Sequence, residues 1–538
     1  MKNSFKIILT SAALVLSLNS CKKEALNLLP TNDQTEGLVY ATPEGYKQGL
    51  VRLYANYALT SPGGGDATSS DVGGLNPGFS DFLRLFWTSQ ELTTDEAVCN
   101  WGDTGIPELV NSTWAADNQF LRGLYSRSIS QITLVNEYLR QSTPELLTTR
   151  NITGADAANV QRYRAEARFL RAYQYWVLLD AFGNPPFVTE NDAIGKVAPK
   201  QIQRVALFSY VESELKAIEN DLAAPGSADS EYGRANQGAD WALLARLYLN
   251  AQVYTGTAKY TEAITYSSKV IASNYSLNPN YANLFRTDNN MGNTENILTI
   301  NYDGVNSTNY GGTTFLINAS IYTSADAAGM SATAFGVPNG GWAGNRTRQN
   351  LPALFPNTTG TIDRRGAFVG PKAEVDAITD PIDGLKVTKF RNVTSANVPA
   401  PSLNGTFSSL DFALFRLAEQ YLIYGEAVAR GGSGGSAAQA LTYVNLLRQR
   451  AYGNNNGNVS AAALTTDFFL DERGRELYWE GHRRTDLVRY GRFTGSTYLW
   501  PFKGGVRAGT NVPAYRNLYP IPTADLIANP NLVQNTGY

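Results

Sequence analysis

Residues 159–182, NVQRYRAEARFLRAYQYWVLLDAF, place the strongest limit on how this chain folds. Apolar residues recur there at spacings of three and four, which puts them on one face of an α-helix with the charges opposite. Gly183 and the pair Pro185-Pro186 then end the pattern. The pattern predicts a long amphipathic helix whose apolar face is Ala165, Phe169, Tyr173 and Trp176.

Further helices are predicted along the chain, and several come in pairs. An amphipathic stretch runs from Val205 to Ala223. Later segments alternate small alanines with large tyrosines, which lets paired helices pack closely, as in tetratricopeptide-like units. These segments are DWALLARLYLNAQVY, YTEAITYSSKVIAS, FRLAEQYLIYGEAVARGG and AAQALTYVNLLRQRA. We therefore expect a mainly α fold, a helical scaffold of tetratricopeptide-like pairs.

Residues 301–410 differ from this scaffold. They are rich in Gly, Asn, Thr, Ser and Pro with scattered aromatic residues, and ENILTINYD suggests that short strands begin the stretch. Such a long irregular stretch is uncommon within a compact protein and usually serves a function. The sequence predicts a loop-rich, partly β ligand-binding lobe, which we call the loop-rich lobe.

Composition excludes some classes of partner. The 538 residues carry a formal net charge of −2, with a pI near 5.8, and Lys and Arg form no cluster. Nucleic acid is therefore not an expected partner. The 30 Tyr and 8 Trp suit stacking on sugar rings, but equally suit core packing, so composition alone does not decide between them.

A single histidine limits the chemistry. A Ser-His-Asp or Cys-His arrangement would have to use His482, and a zinc site built from several histidines is excluded. His482 lies in ERGRELYWEGHRRTDLVRYGRF, where a hydrogen-bonded structural histidine is the favoured interpretation. The charged run Glu472–Arg484 around it is expected to be a structural salt-bridge network. Glycoside hydrolysis by carboxylates stays open, although no pair stands out.

The N-terminus has the three regions of a secretory signal. Lys2 and Lys6 precede the apolar run Ile7–Leu18, which is too short to span a bilayer, and small polar residues follow. The alternative is a weakly hydrophobic N-terminal helix with a chance cysteine. Leu18-Asn19-Ser20-Cys21 resembles the lipobox of bacterial lipoproteins, which implies a signal peptide over residues 1–20 and acylation of Cys21. Cys99 would then have no partner within the chain.

Five motifs in order carry a resemblance to a known family. They are RAEARFLRAYQYWVLLDAFGNPPF, GRANQGADWALLARLYLNAQVYTG, FRLAEQYLIYGEAVARGG, ERGRELYWEGHRRTDLVRYGRF and LYPIPTADLIANPNLVQNTGY. Together they resemble the SusD/RagB family of Bacteroidetes outer-membrane lipoproteins over residues 21–538. Within that span we expect a helical part at about 21–300, the loop-rich lobe at about 301–410 and a C-terminal part at about 411–538.

The resemblance implies a function. Members of this family are non-enzymatic, surface-exposed nutrient-binding lipoproteins that sit as a lid on a SusC-like TonB-dependent transporter and deliver oligosaccharides to it. A lipid on Cys21 would hold this chain in the outer membrane. No cofactor is expected. Calcium is considered only for Asp288, Asn290 and Asp411, which could ligate it through oxygen, and a plain surface turn is the favoured alternative.

The chain resembles the starch-binding members of the family most closely. In these members three aromatic side chains form an arc that follows the curve of an α-1,4-glucan, and an arginine binds sugar hydroxyls. The matching segments are ELTTDEAVCNWGDTGIPELVNSTW, VNSTNYGGTTF, VPNGGWAGNR and FSDFLRLFW. The matching residues are Trp101, Tyr310, Trp342 and Arg84, while Asp103 or Thr104 stands where an asparagine is expected.

Three hypotheses for function stay open. The leading one is binding of starch or malto-oligosaccharides, and the second is binding of another glycan by the same residues. The third is an exported glycoside hydrolase or a purely structural helical scaffold. The scaffold hypothesis predicts that Trp101 and Trp342 are buried.

Overall fold

The computed structural model describes residues 36–538, apart from 62, 63, 65–67, 196 and 323–330. The predicted signal peptide and Cys21 lie outside the described residues. The described chain is mainly helical, as predicted. Its helices are α1 Glu36–Val39, α2 Pro43–Ala58, α3 Phe82–Gln90, α4 Ile106–Val110, α5 Gln119–Gln141, α6 Pro144–Thr149, α7 Gly154–Ala181, α8 Arg204–Ile218, α9 Gln237–Leu249, α10 Ala251–Thr255, α11 Tyr260–Ile271, α12 Gly312–Asn318, α13 Leu417–Ala429, α14 Ala437–Tyr452, α15 Thr466–Leu477, α16 Arg483–Arg489 and α17 Thr523–Ala528.

The described strands are short and pair two by two. β1 pairs antiparallel with β5, β2 with β3, β4 with β8, and β6 with β7. The β4–β8 pair joins the chain just before the loop-rich lobe to the chain just after it. The strands are β1 Ala97–Cys99, β2 Pro186–Phe187, β3 Lys200–Gln201, β4 Asn296–Ile300, β5 Asn345–Thr347, β6 Phe368–Val369, β7 Lys386–Val387 and β8 Phe412–Arg416.

Helix α7 is the predicted long helix, but it is more deeply buried than its pattern suggested. It packs against α2, α5 and α8, and from Ala165 to Ala181 nearly every side chain is buried. The expectation that its charges face solvent is therefore wrong for this half. Arg171, for example, is 2% exposed and bonds Glu190 and Glu214 on neighbouring segments. Such buried charges are tolerated because each is paired with an opposite charge.

The predicted helix pairs are present. α9 packs on α11, α11 on α13, and α13 on α14 and α15. Ala245 and Ala263 are fully buried at these contacts, and the Tyr248 ring lies 5.6 Å from that of Tyr266. Small residues thus bring the helix backbones together while aromatic rings fill the remaining space, as the alternation predicted.

The charged run predicted to be structural lies in a buried network of ion pairs. Arg416 donates to Glu476 at 2.6 Å, to Glu480 at 2.7 Å and to Glu295 at 3.1 Å. Lys389 also bonds Glu480, at 2.6 Å. Burial alone would raise the pKa of Glu476. The positive charges of the surrounding arginines lower it more strongly, so the pKa is about 2. The network joins β8, α15 and the loop-rich lobe.

The loop-rich lobe contains α12, β5, β6, β7 and short 3₁₀ turns. β5 pairs with β1 of the helical part in register, so that Cys99 lies opposite Asn345. This pairing fixes two loops at one edge, because Trp101 follows β1 by two residues and Trp342 precedes β5 by three. Cys99 is a free, buried cysteine, and burial raises the pKa of its thiol to about 12.

Candidate functional site

Three aromatic side chains predicted from separate segments meet at one surface. The ring centroids of Trp101 and Trp342 are 6.4 Å apart with the ring planes at 46°. Those of Tyr310 and Trp342 are 6.1 Å apart at 50°. Trp342 therefore contacts both of the others, and no two neighbouring rings are coplanar. We call this set the aromatic arc.

The rings of the aromatic arc are half-buried, which separates them from most of the chain's tryptophans. The alternative that Trp101 and Trp342 belong to the core, as a purely structural scaffold requires, disagrees with this placement. Among the tryptophans in the described part of the chain, only Trp241 outside the arc is comparably exposed. The other tryptophans are fully buried, namely Trp87, Trp114, Trp176, Trp479 and Trp500.

The side chain of Trp101 is held in place by a backbone oxygen and a neighbouring aromatic ring. Its Nε1 donates to the backbone oxygen of Trp342 at 3.1 Å, and its ring lies 6.1 Å from that of Phe315. A Cβ on Gly344 would sit 2.3 Å from the Trp101 ring, closer than side chains approach. Glycine at position 344 therefore lets the backbone run directly beneath the indole.

Arg84 joins the arc from helix α3. Its guanidinium lies 5.6 Å from the centroid of Trp101 and 4.6 Å from that of Phe315. Its Nη1 donates to the backbone oxygens of Gly78 at 2.7 Å and Tyr310 at 3.3 Å. Burial lowers the pKa of Arg84 to about 10, so the side chain stays charged at neutral pH. It can donate hydrogen bonds beside an aromatic face.

Asp103 and Thr104 lie on the exposed loop after Trp101. The negative charge of Asp103 offsets part of the lowering that burial imposes on the pKa of Arg84, so the two charges interact. Gln119 donates to the backbone oxygen of Thr104 and Asn118 to that of Gly105. The loop is thus tied to the start of α5, with both predicted side chains facing solvent.

Two of the three candidate calcium ligands use their carboxylate oxygens as hydrogen-bond acceptors. Asp288 accepts from the backbone and hydroxyl of Ser395, at 2.8 and 2.6 Å. Asp411 is buried and accepts from the Tyr302 amide at 2.9 Å and the Tyr232 hydroxyl at 3.0 Å. In the described part of the chain, no cluster of three or more His, Cys, Asp or Glu could hold a metal ion. Calcium at Asp288, Asn290 and Asp411 stays a prediction, since amide and carbonyl oxygens and water are also calcium ligands.

His482 lies in the interior, away from the aromatic arc. It is 9% exposed, and its Nδ1 is 3.9 Å from a carboxylate oxygen of Glu419. Burial, aided by nearby arginines, lowers its pKa well below the usual value, so the ring is neutral. This placement agrees with the structural role predicted for it.

Among the described residues, no helix is long and apolar enough to cross a bilayer.

Sequence reasoning missed two aromatic supports of the site. Phe315 lies under both Arg84 and Trp101, and Phe407 packs against Tyr310 with ring centroids 5.2 Å apart. Phe315 is the last residue of VNSTNYGGTTF, the segment that contains the predicted tyrosine. Its closeness in sequence to that tyrosine was the available signal. Phe407 lies in irregular chain and had none.

Comparison with known proteins identifies the family of this chain. Residues 244–538 match the sequence profile of the SusD family. Over 100% of both chains, the protein is 35% identical to the starch-binding protein SusD of Bacteroides thetaiotaomicron. The chain belongs to the SusD family. The SusD-like protein P2 of Formosa agariphila is 25% identical, over 81% of this chain and 85% of that protein.

Solved structures share the SusD-family fold. The surface glycan-binding protein A of Bacteroides uniformis aligns with a TM-score of 0.68 at 22% identity, covering 92% of this chain and 99% of that one. The protein of the same name from Bacteroides thetaiotaomicron, in complex with laminarihexaose, aligns with a TM-score of 0.67 at 19% identity, covering 91% and 99%. At these identities the likeness concerns the fold alone.

Proposed function

We propose that this SusD-family protein is a non-catalytic cell-surface lipoprotein that captures starch or malto-oligosaccharides. It would deliver them to a SusC-like TonB-dependent transporter in the outer membrane. The observation that carries the binding proposal is the aromatic arc, with three half-buried rings tilted by 46° and 50° between neighbours and a charged arginine beside them.

The geometry of the arc favours a curved ligand. A sugar ring presents an apolar C–H face that stacks on an aromatic ring, and three tilted rings can stack on successive sugars only if the chain turns between them. An α-1,4-linked glucan turns in this way, whereas a flat β-1,4 ribbon does not. Arg84 would donate to the hydroxyl groups, and the exposed Asp103 and Thr104 would supply acceptors at the rim.

The relatives support the choice of ligand. The curated relative that matches over the full length of both chains is named for starch binding. A solved member of the same fold binds laminarihexaose, which shows that the fold accommodates other glucans as well. A different glycan on the same residues is therefore the second candidate.

The location and the partner rest on the sequence and the family. Residues 1–20 match a lipoprotein signal peptide, and Cys21 would carry acyl chains. More than one acyl chain gives stable anchoring, whereas a single chain holds only marginally. The transporter is proposed from membership of the SusD family, since a surface-anchored binding protein needs a route for its cargo.

Calorimetry on the purified protein lacking residues 1–21 tests the proposed ligand. Maltoheptaose and amylopectin are expected to bind, while dextran, levan and xylan are not. Release of reducing sugar is measured in the same samples and is expected to stay at the level of the blank. Binding to a non-α-1,4 glycan alone would overturn the starch assignment, and steady release of sugar would overturn the non-catalytic role.

Gly344→Ala is expected to weaken maltoheptaose binding by about 5- to 30-fold, the value of one stacking contact. The added methyl would collide with the Trp101 ring and tilt it out of the arc. Gly102→Ala is the matched control, because a Cβ there meets nothing within 4 Å. Calorimetry compares the two variants. Equal affinities would show that the position of Trp101 does not matter for binding.

A further inference from the structure

One buried carboxylate links two elements of the aromatic arc. Asp81 is fully buried and precedes α3. Its Oδ1 accepts from the amide of Arg84 at 3.0 Å, which caps α3, and from the amide of Gly312 at 2.7 Å, which is the first residue of α12. A single oxygen atom thus satisfies unpaired amides at the starts of two helices.

The same contact holds the Tyr310 segment against α3. A Cβ on Gly311 would sit 2.1 Å from the Cβ of Asp81, so the backbone of this segment passes directly over the aspartate. Arg84 closes the link from the other side, since its Nη1 donates to the Tyr310 backbone oxygen at 3.3 Å. Two hydrogen bonds therefore tie the Tyr310 segment to α3 and the residue before it. The Tyr310 carbonyl accepts one from Arg84, and the Gly312 amide donates the other to Asp81.

The titratable groups that face Asp81 come from three directions. Arg84 lies on its own helix, Arg127 approaches from α5, and the Tyr302 hydroxyl is 3.4 Å from Oδ2. Arg127 is itself paired with Asp71 at 2.8 Å. Burial raises the pKa of Asp81 to about 6, because the bonds from the Arg84 and Gly312 amides and the charge of Arg127 offset only part of its cost.

We propose that Asp81 is the positioning residue that fixes Tyr310 relative to Arg84 and so sets the affinity of the aromatic arc for glycans. This inference rests on the proposed function. The carboxylate is a strong acceptor for both amides, and a neutral acceptor is weaker because charge-assisted hydrogen bonds are roughly twice as strong. Loss of the acceptor removes this shared attachment and loosens the start of α12 and the tyrosine that precedes it.

Two substitutions at Asp81 separate positioning from mere folding. Asp81→Ala removes the acceptor and is expected to weaken maltoheptaose binding about tenfold, the value of a lost helix cap. Asp81→Asn keeps the acceptor without the charge, and is expected to weaken binding only ~threefold at pH 7.5. Hydrogen exchange at the amides of residues 312–315 is measured in parallel and should speed up in Asp81→Ala but much less in Asp81→Asn.

The pH profile supplies a readout that a purely structural role would not move. Between pH 8 and pH 5, wild-type affinity is expected to fall ~threefold, with its midpoint near the pKa of Asp81, because protonation leaves only a neutral acceptor. Asp81→Asn should show no such step. Asp411→Asn is the matched control, since Asp411 is also buried with a pKa of about 6 but accepts from the Tyr302 amide and the Tyr232 hydroxyl, and not from the helix-start amides of Arg84 and Gly312. It should keep the step.

The outcomes decide between the alternatives. An Asp81→Ala protein with wild-type circular dichroism and unchanged affinity would overturn the inference, as would a pH step that persists in Asp81→Asn and vanishes in Asp411→Asn. If Asp81→Ala does not fold, the pH profile of Asp81→Asn decides. If the wild-type protein binds no glucan, the proposed function fails, and the exchange rates at residues 312–315 alone decide whether Asp81 holds this segment.

Discussion

The double variant Trp101→Ala/Trp342→Ala is expected to lose α-glucan affinity by about 30- to 1000-fold. Each aromatic–sugar contact is worth about 1–2 kcal/mol by analogy with other stacking contacts, so two give about 2–4 kcal/mol. Trp342 contacts both other rings of the arc, so its removal also leaves Tyr310 without a neighbour on that side. Calorimetry with maltoheptaose and affinity electrophoresis with amylopectin measure the loss.

Trp241→Ala is the control for this variant. Trp241 is half-buried like the arc tryptophans, but lies on α9, where its Nε1 donates to Glu219 at 2.8 Å. Its removal is expected to leave glycan affinity unchanged. Wild-type affinity in the double variant would show that the arc is not the binding surface, although the fold and family would stand.

Arg416→Met is expected to lower the free energy of unfolding by about 3–5 kcal/mol, the effect of breaking a buried ion pair from one side. Arg416 is 2% exposed and makes charged hydrogen bonds to Glu295, Glu476 and Glu480. Without Arg416, three buried carboxylates lose part of the positive charge and hydrogen bonding that offsets the cost of burying them. Because native proteins are stable by only about 5–15 kcal/mol, this is a large fraction of the total.

Urea unfolding followed by circular dichroism measures this loss, with Arg162→Met as the control. Arg162 pairs with Asp229 at 3.0 Å, but their side chains are 26% and 57% exposed. An exposed pair contributes at most about 1 kcal/mol, so the same change of residue should have little effect there. Similar losses in both variants would mean that the buried network contributes no more than a surface ion pair.

Local pattern was enough to predict much of the scaffold. The spacing in residues 159–182 and the small and large alternation near Ala245 and Ala263 are properties of short segments. The structure agrees with the helices and pairs that they predicted. It extends α7 back to Gly154 and ends α8 at Ile218, earlier than the pattern indicated.

The burial of charges could not be predicted from those patterns. Arg171 looks like part of a solvated helix face in the sequence, yet it is buried between Glu190 and Glu214. A periodic pattern reports which residues share a face, but not what a distant segment places against it. That information belongs to the packing of α7 among its neighbours.

The sequence by itself determined the helical class of the fold, the resemblance that links this chain to the SusD family, and the residue types of the site. Only the tertiary structure decided that Trp342 lies between Trp101 and Tyr310, that Phe315 supports Arg84, and that Asp81 holds two helix starts. The physical reason is that the contacts joining the parts of the site connect residues more than 200 positions apart in several cases, such as the 3.1 Å bond from Trp101 to Trp342. Local propensity carries no information about such contacts.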